Sequence, residues 1–143
     1  MQVEKMISVP VSELKAYKAN ARVHSKRQIQ ELTNSLRTYG FVTPVLIDAE
    51  RNIIAGHGRV EAAIAAGIET APCVLVEHLD ADEVKAYRLA DNRLAEKATW
   101  DMDLVAEELA ALDLSGIDLK ITGFDETYLA PKISGGVRRI EKL

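Results

Sequence analysis

The sequence has little of what would fix a shape by covalent chemistry or by large side chains. One cysteine, Cys73, stands in 143 residues, so no internal disulfide can form and a cytoplasmic setting is expected. Aromatic residues make up 5% of the chain, which leaves Val, Ile, Leu and Ala to build the core. No stretch reaches the roughly 18 apolar residues that a transmembrane helix needs. The opening MQVEKMISVP carries acidic Glu4 and lacks an apolar core, unlike a secretory signal, and no membrane partner is expected. A basic excess is missing too: 18 Lys and Arg stand against 22 Asp and Glu, with a net charge of −4. That excludes a general nucleic-acid binder, because phosphate contacts need a basic surface. Internal repeats and low-complexity segments are also absent.

What is there is 48% hydrophobic and 28% charged, the balance of one globular domain of ordinary size. The charge is uneven. Residues 1–40 hold seven Lys/Arg and three Asp/Glu, whereas residues 80–130 hold five and thirteen. Any DNA contact must therefore be one-sided and must use the basic N-terminal third, with Lys15, Lys18, Arg22, Lys26 and Arg27 as its cations. A solvated basic face explains the same residues. The division expected is a domain over 1–130 and a basic tail or linker over 131–143, where Gly135-Gly136 precede Val137-Arg138-Arg139-Ile140.

Local signals place the elements. Ile7-Ser8-Val9 reads as a strand that Pro10 ends or pushes to an edge, and Val11–Leu14 as one helical turn. Ser25-Lys26-Arg27-Gln28 forms a capping-box pattern in which Gln28 reaches back, opening a helix over 26–39 with Ile29, Leu32 and Leu36 on one face and Gly40 at its end. Val45–Asp48 and Ile53–Ala55 suit two strands of a hairpin. A helix follows from Gly58 to Ala66, with Val60, Ala63 and Ile64 on its buried side, and Pro72–Glu77 reads as an interior strand. Asp80 and Glu83 make a second capping box for a helix to Lys97, and Asp101 opens another whose Met102, Val105, Leu109 and Leu112 share a side. Leu119-Lys120-Ile121 suits a short strand, and Asp125 a last capped turn.

Ile53-Ile54-Ala55-Gly56-His57-Gly58-Arg59 is the most informative stretch: a strand, a glycine turn and a helix start. The glycines allow unusual backbone angles and close approach of an anion. The helix start presents unpaired N–H groups and the positive dipole end, and Arg59 adds a fork of donors suited to phosphate. A plain strand-to-helix connection with a surface arginine fits the glycine pattern equally well.

The wider order of motifs resembles the ParB/sulfiredoxin superfamily, in particular the N-terminal domain of ParB-type partition proteins. Thr38-Tyr39-Gly40-Phe41-Val42-Thr43-Pro44 is similar to the family's Ser/Thr-x-x-Gly-Gln-x-x-Pro, without its glutamine. Gly56-His57-Gly58-Arg59-Val60-Glu61-Ala62 is similar to Gly-Glu-Arg-Arg-x-Arg-Ala, keeping the first glycine, one arginine and the alanine. Ala90-Asp91-Asn92-Arg93 resembles Glu-Asn-x-Gln-Arg, and Asn20-Ala21-Arg22 resembles the early Asn-Pro-x-Arg region. The resemblance covers about residues 5–97. Leu89–Leu94, Trp100-Asp101 and Ile121–Asp125 further resemble ParB-like domains of phage and mobile elements, often fused to or encoded beside DNA methyltransferases.

The resemblance implies an α+β fold, a small mixed β-sheet packed with helices, with extra C-terminal helices. It implies binding of a nucleoside triphosphate of the CTP or ATP type with Mg2+. Gly56, His57, Gly58, Arg59, Thr43, Pro44, Asn92, Arg93 and Arg22 are the phosphate-side candidates, and Asn92 with Asp91 the metal-side ones. A DNA methyltransferase, as a separate chain or domain, is a partner it suggests, and a homodimer is one assembly open to it. His57 stands where sulfiredoxins carry cysteine, so that activity is not expected. Three readings stay open: a nucleotide-binding switch with slow triphosphatase activity, a phosphotransferase or nuclease, and an interaction module that has lost its ligand. Glu61, His57 and Asp91 are the candidates for a general base. His57 also suits a residue that merely fits the turn, and Arg88 and Asn92, four apart, either meet the Gly56 turn or lie on a solvated helix face. His24 and His78 read as loop and surface residues, Cys73 as core and Trp100 as a packing anchor.

Overall fold

Pro10 closes the first strand at the outer edge of a sheet, where its missing N–H costs little. The structure, a computed structural model, describes residues 5–17, 23–124 and 128–129. The chain divides into two compact units, residues 1–97 and 98–143. The first runs β1 (Lys5–Pro10), a 3-10 turn (Val11–Glu13), α1 (Lys26–Tyr39), β2 (Val45–Ile47), β3 (Ile53–Ala55), α2 (His57–Ala66), β4 (Thr70–Leu75) and α3 (Ala81–Lys97).

The strands form one mixed sheet in the order β1-β4-β2-β3. β4 lies inside it, antiparallel to β1 and parallel to β2, while β2 and β3 make the expected hairpin. β4 begins at Thr70 rather than Pro72 because β1 pairs with it along its whole length, from Lys5 opposite Leu75 to Pro10 opposite Thr70. Alternation along the strands buries Val9, Val45, Ile47, Ala71 and Cys73 on one face, where they join Leu36, Val60, Ala62 and Ala63 of α1 and α2 in a single core. At the hairpin bend Asp48 replaces missing backbone partners: its carboxylate accepts from the N–H groups of Glu50 and Asn52, both at 2.9 Å.

Among the described residues, three α-helix starts carry side-chain caps. Ser25 Oγ accepts from the Gln28 N–H at 3.0 Å, but Gln28 does not reach back to the cap; its Oε1 lies 2.9 Å from His24 Nδ1 instead. Asp80 and Glu83 complete the reciprocal box, at 2.8 and 3.0 Å. Asp101 accepts from the N–H groups of Asp103 and Leu104. On α2 the buried residues are Gly58, Val60, Ala62 and Ala63. Ile64, expected inside, is 64% exposed: one residue past Ala63 the helix has turned it about 100° away from the stripe that meets α1.

The second unit has α4 (Met102–Leu114) and a 3-10 turn (Leu119–Thr122). Val105, Leu109, Leu119 and Leu129 form its small core, with Met102 and Phe124 packed against it, while Leu112 sits at the margin, 37% exposed. Trp100 stacks edge-on against Phe124, yet stays largely exposed. Leu119–Ile121 is not the expected strand. Asp118 accepts from the Lys120 N–H at 3.1 Å and Thr122 Oγ1 donates to the Leu119 carbonyl at 2.6 Å, and these local bonds curl the segment into a turn. Arg22, the Asp125 cap and the tail over 131–143 lie outside the described residues.

Candidate functional site

The β3-to-α2 connection has to turn sharply, and Gly56 makes it possible. Its φ of +110° is a left-handed value, and a Cβ there would stand 3.1 Å from Arg59 Nη2 and 3.4 Å from the Val45 Cα. Because Gly56 occupies the cap position, no side chain caps α2. The Val60 N–H closes on the Gly56 carbonyl at 3.0 Å, so the amides of His57, Gly58 and Arg59 are the ones a helix start leaves without intrahelical partners. The three residues line a cavity of about 270 Å³. His24, Gln28 and Leu32 form its wall at the start of α1, and Arg88, Asp91 and Asn92 of α3 form the wall across from it.

Arg88 is the best-held of these side chains. It is the one buried residue of α3, only 6% exposed. Its Nε donates to the Ile54 carbonyl at 3.1 Å and its Nη2 to the Ile53 carbonyl at 2.6 Å, so α3 is clamped onto the end of β3. The guanidinium carbon lies 3.5 Å from the centre of the Tyr17 ring, a cation–π stack. Burial lowers the guanidinium's pKa, and the nearby Tyr17 and Asp48 pull it back up. Arg88 also borders a wider cleft of about 540 Å³, on whose wall Tyr17 and Asp48 lie.

The same tyrosine ties in His57. The Tyr17 backbone N–H donates to His57 Nε2 at 3.1 Å, which needs that nitrogen unprotonated. Burial first, then the charges of Arg88 and His24, lower the His57 pKa and keep the ring neutral. His57 thus holds the Lys15–Tyr17 segment in place, and its Nε2 lone pair is already engaged.

Arg59 donates from Nη2 to the Pro44 carbonyl at 3.1 Å, while its Nε is buried without a partner among the described residues. Its pKa is lowered by burial and raised by Asp91, the one carboxylate on the cavity wall. Asn92 donates from Nδ2 to the Arg88 carbonyl at 3.0 Å. Among the described residues, two arginines and two histidines line the cavity with a single acid, an arrangement that attracts anions.

The residues read from the sequence separate on this geometry. Gly56, His57, Gly58, Arg59, Asp91 and Asn92 come together on the cavity wall. Pro44 joins them through its carbonyl bond to Arg59. Thr43, Glu61 and Arg93 are exposed and do not line the cavity, and Arg93 pairs with Glu96 at 3.1 Å. Among the described residues no three His, Cys, Asp or Glu side chains gather to hold a metal ion. Cys73 is buried in β4, where burial pushes its thiol pKa up. His24, expected as a loop or surface residue, and Tyr17, which no sequence signal singles out, are the unexpected parts. Nothing in their own spacing points to the site, because loop residues carry no periodicity.

The chain is similar to known proteins over the segment that carries this cavity. Residues 1–93 match the family described as the ParB N-terminal domain. The ParB-like nuclease domain-containing protein YnaK of Escherichia coli is 42% identical over 81 residues, which cover 57% of this chain and 92% of that protein. The probable chromosome 2-partitioning protein ParB of Deinococcus radiodurans is 32% identical over 95 residues, 64% of this chain but 32% of that longer protein. Among solved structures, the C-terminally truncated chromosome-partitioning protein ParB of Caulobacter crescentus, complexed with CTP-gamma-S, superposes with a TM-score of 0.73 at 22% identity, covering 88% of this chain and 75% of that one. At that identity the likeness establishes the fold.

Proposed function

The chain belongs to the ParB N-terminal domain family, and from that premise we propose that it binds a nucleoside triphosphate of the CTP or ATP type as a module of a DNA-associated protein. The observation that carries this reading is the uncapped start of α2, whose first residues line a cavity where, among the described residues, two arginines and two histidines stand against one carboxylate. The related Caulobacter fold was solved with a CTP analogue, which favours a cytidine nucleotide. Arg59 and Arg88 supply the field that favours phosphate, and the amides of residues 57–59 supply donors. Magnesium fits as a companion of the phosphates: with Asp91 and Asn92 on the wall and no three-residue ligand group among the described residues, most of its ligands have to come from phosphate oxygens and water.

DNA association draws on the chromosome-partitioning relative and on the basic first 40 residues. The finer reading ties the module to partition or DNA modification in a phage or mobile element, with a methyltransferase as partner. A second reading, hydrolysis at the same cavity, is favoured by the nuclease-domain description of the Escherichia coli relative, with Asp91 as the available base.

Calorimetric titration of the chain with CTP, ATP and GTP, each with Mg2+, tests the proposal. Saturable binding of at least one is expected. No heat from any of them, together with an unchanged melting temperature, overturns it. Asp91→Asn then separates the two readings: if the cavity is an enzyme's, turnover of the bound nucleotide or of DNA disappears while binding survives.

A further inference from the structure

Most hydrogen-bonding groups on the cavity wall are already occupied. Arg88 gives its Nε and Nη2 to the carbonyls that end β3. Arg59 gives Nη2 to Pro44, His57 Nε2 receives the Tyr17 amide, and Asn92 Nδ2 is on the Arg88 carbonyl. These bonds fix the groups in place, while Arg59 and Arg88 keep further guanidinium N–H groups, Arg59 Nε among them without a partner among the described residues.

His24 is placed differently. Gln28 Oε1, an amide oxygen, can only accept, so His24 Nδ1 donates to it at 2.9 Å. That bond fixes the ring and turns the opposite edge toward α2. A Cβ built on Gly58 would lie 2.9 Å from His24 Cε1 and 3.1 Å from Nε2. Position 58, second in the helix and buried, has no side chain of its own, and the imidazole of His24, together with Leu32 Cδ1 at 3.0 Å, fills the volume that one would take. Its Nε2 edge therefore lies beside the open amides of the α2 start. With Nδ1–H committed to Gln28, protonation adds the second proton at Nε2, which makes that nitrogen a charge-assisted donor to an anion held there.

We infer that His24 is a phosphate-binding residue of this cavity, delivered from the α1 cap into the space left empty by Gly58. The inference rests on the nucleotide reading above and names which side chain completes that site. Because it acts on phosphate rather than on base or sugar, its contribution is the same for every nucleotide and for inorganic tripolyphosphate.

The test is calorimetry on the full chain with MgCTP, MgATP, MgGTP and Mg-tripolyphosphate. His24→Phe keeps a ring in the same volume and removes both nitrogens; His24→Ala removes the ring. Each is expected to weaken every ligand the wild type binds, by about ten- to a hundredfold, with the His24→Phe melting temperature close to that of the wild type. Wild-type affinity in folded His24→Phe overturns the inference and leaves the nucleotide reading standing. So does a loss confined to one nucleotide with tripolyphosphate binding intact, since that assigns His24 to the base. A wild type that binds none of the four ligands overturns both.

Discussion

The starts of α2 and α3 solve the same problem in opposite ways. Every helix begins with amides that have no intrahelical acceptor. At α3 the chain satisfies them from within: Asp80 accepts from the Glu83 amide and Glu83 from the Asp80 amide, at 2.8 and 3.0 Å. The result is a sealed, solvent-facing terminus with acidic Asp82 and Glu83 in its first turn. At α2 the cap position is Gly56, no side-chain acceptor is supplied and the first turn holds no acid. There the surroundings are cationic, and a cavity lies in front of the open amides. On the proposed reading, a terminus left uncapped beside a positive cavity takes its acceptor from outside. The two ends also differ in what each costs the fold: α3 contributes its own stability, whereas α2 depends on Arg88, Tyr17 and His57 to hold its surroundings in place.

The comparison can be broken or sharpened by substitution. The largest effect is expected at Arg88. Arg88→Ala leaves the Ile53 and Ile54 carbonyls without their charged donor and frees Tyr17, so urea denaturation should show a loss of about 3 kcal/mol, with nucleotide affinity lost as well. A stability change below about 1 kcal/mol would mean that the clamp is not what joins α3 to β3.

Next comes a matched pair at the two termini. Gly56→Ala forces a Cβ into a left-handed backbone and against Arg59 and Val45, at about 1–2 kcal/mol, and should weaken MgCTP or MgATP binding through the distorted turn. Asp80→Ala removes a cap at about 1 kcal/mol and should leave the same binding isotherm untouched. If Asp80→Ala weakens binding as much as Gly56→Ala does, the two ends are not functionally distinct.

The smallest effect concerns pH. His57 titrates below its ordinary value in the folded protein, chiefly because it is buried, so the unfolded chain takes up the proton first as pH falls. Its contribution to stability is complete above about pH 6.5 and declines as pH drops from there toward the lowered folded value. Melting curves from pH 7.5 to 5 should show this slope, and His57→Gln, which keeps an acceptor for the Tyr17 amide but does not titrate, should flatten it. An unchanged slope would place the pH response on other groups.

Much of this molecule was legible residue by residue. The α1 span, the Asp80–Glu83 box, the Asp101 cap and the β2–β3 hairpin are local events, written in cap residues, turn residues and periodicity, and they appear where those signals lie. The glycine turn before Arg59 was readable for the same reason. Misreadings came where packing overrules pattern. Ile64 has an apolar side chain and a helical position but points away from α1, and Leu119–Ile121 has strand composition but local side-chain bonds that curl it. At the site, Thr43, Glu61 and Arg93 sit close in sequence to the cavity-lining residues and still do not line the cavity.

The sequence by itself determined that the α2 start would have no side-chain cap, since glycine at a cap position can offer no side-chain acceptor whatever surrounds it. It also determined that an arginine would stand in the first turn of that helix. Only the tertiary structure decided which of the surrounding groups are engaged and with what. Arg59 and Arg88 turn to backbone carbonyls, His57 accepts from Tyr17, and His24 comes in from a distant loop to fill the volume above Gly58. A hydrogen bond across dozens of residues depends on where the sheet and helices bring the chain, and no local pattern encodes that meeting.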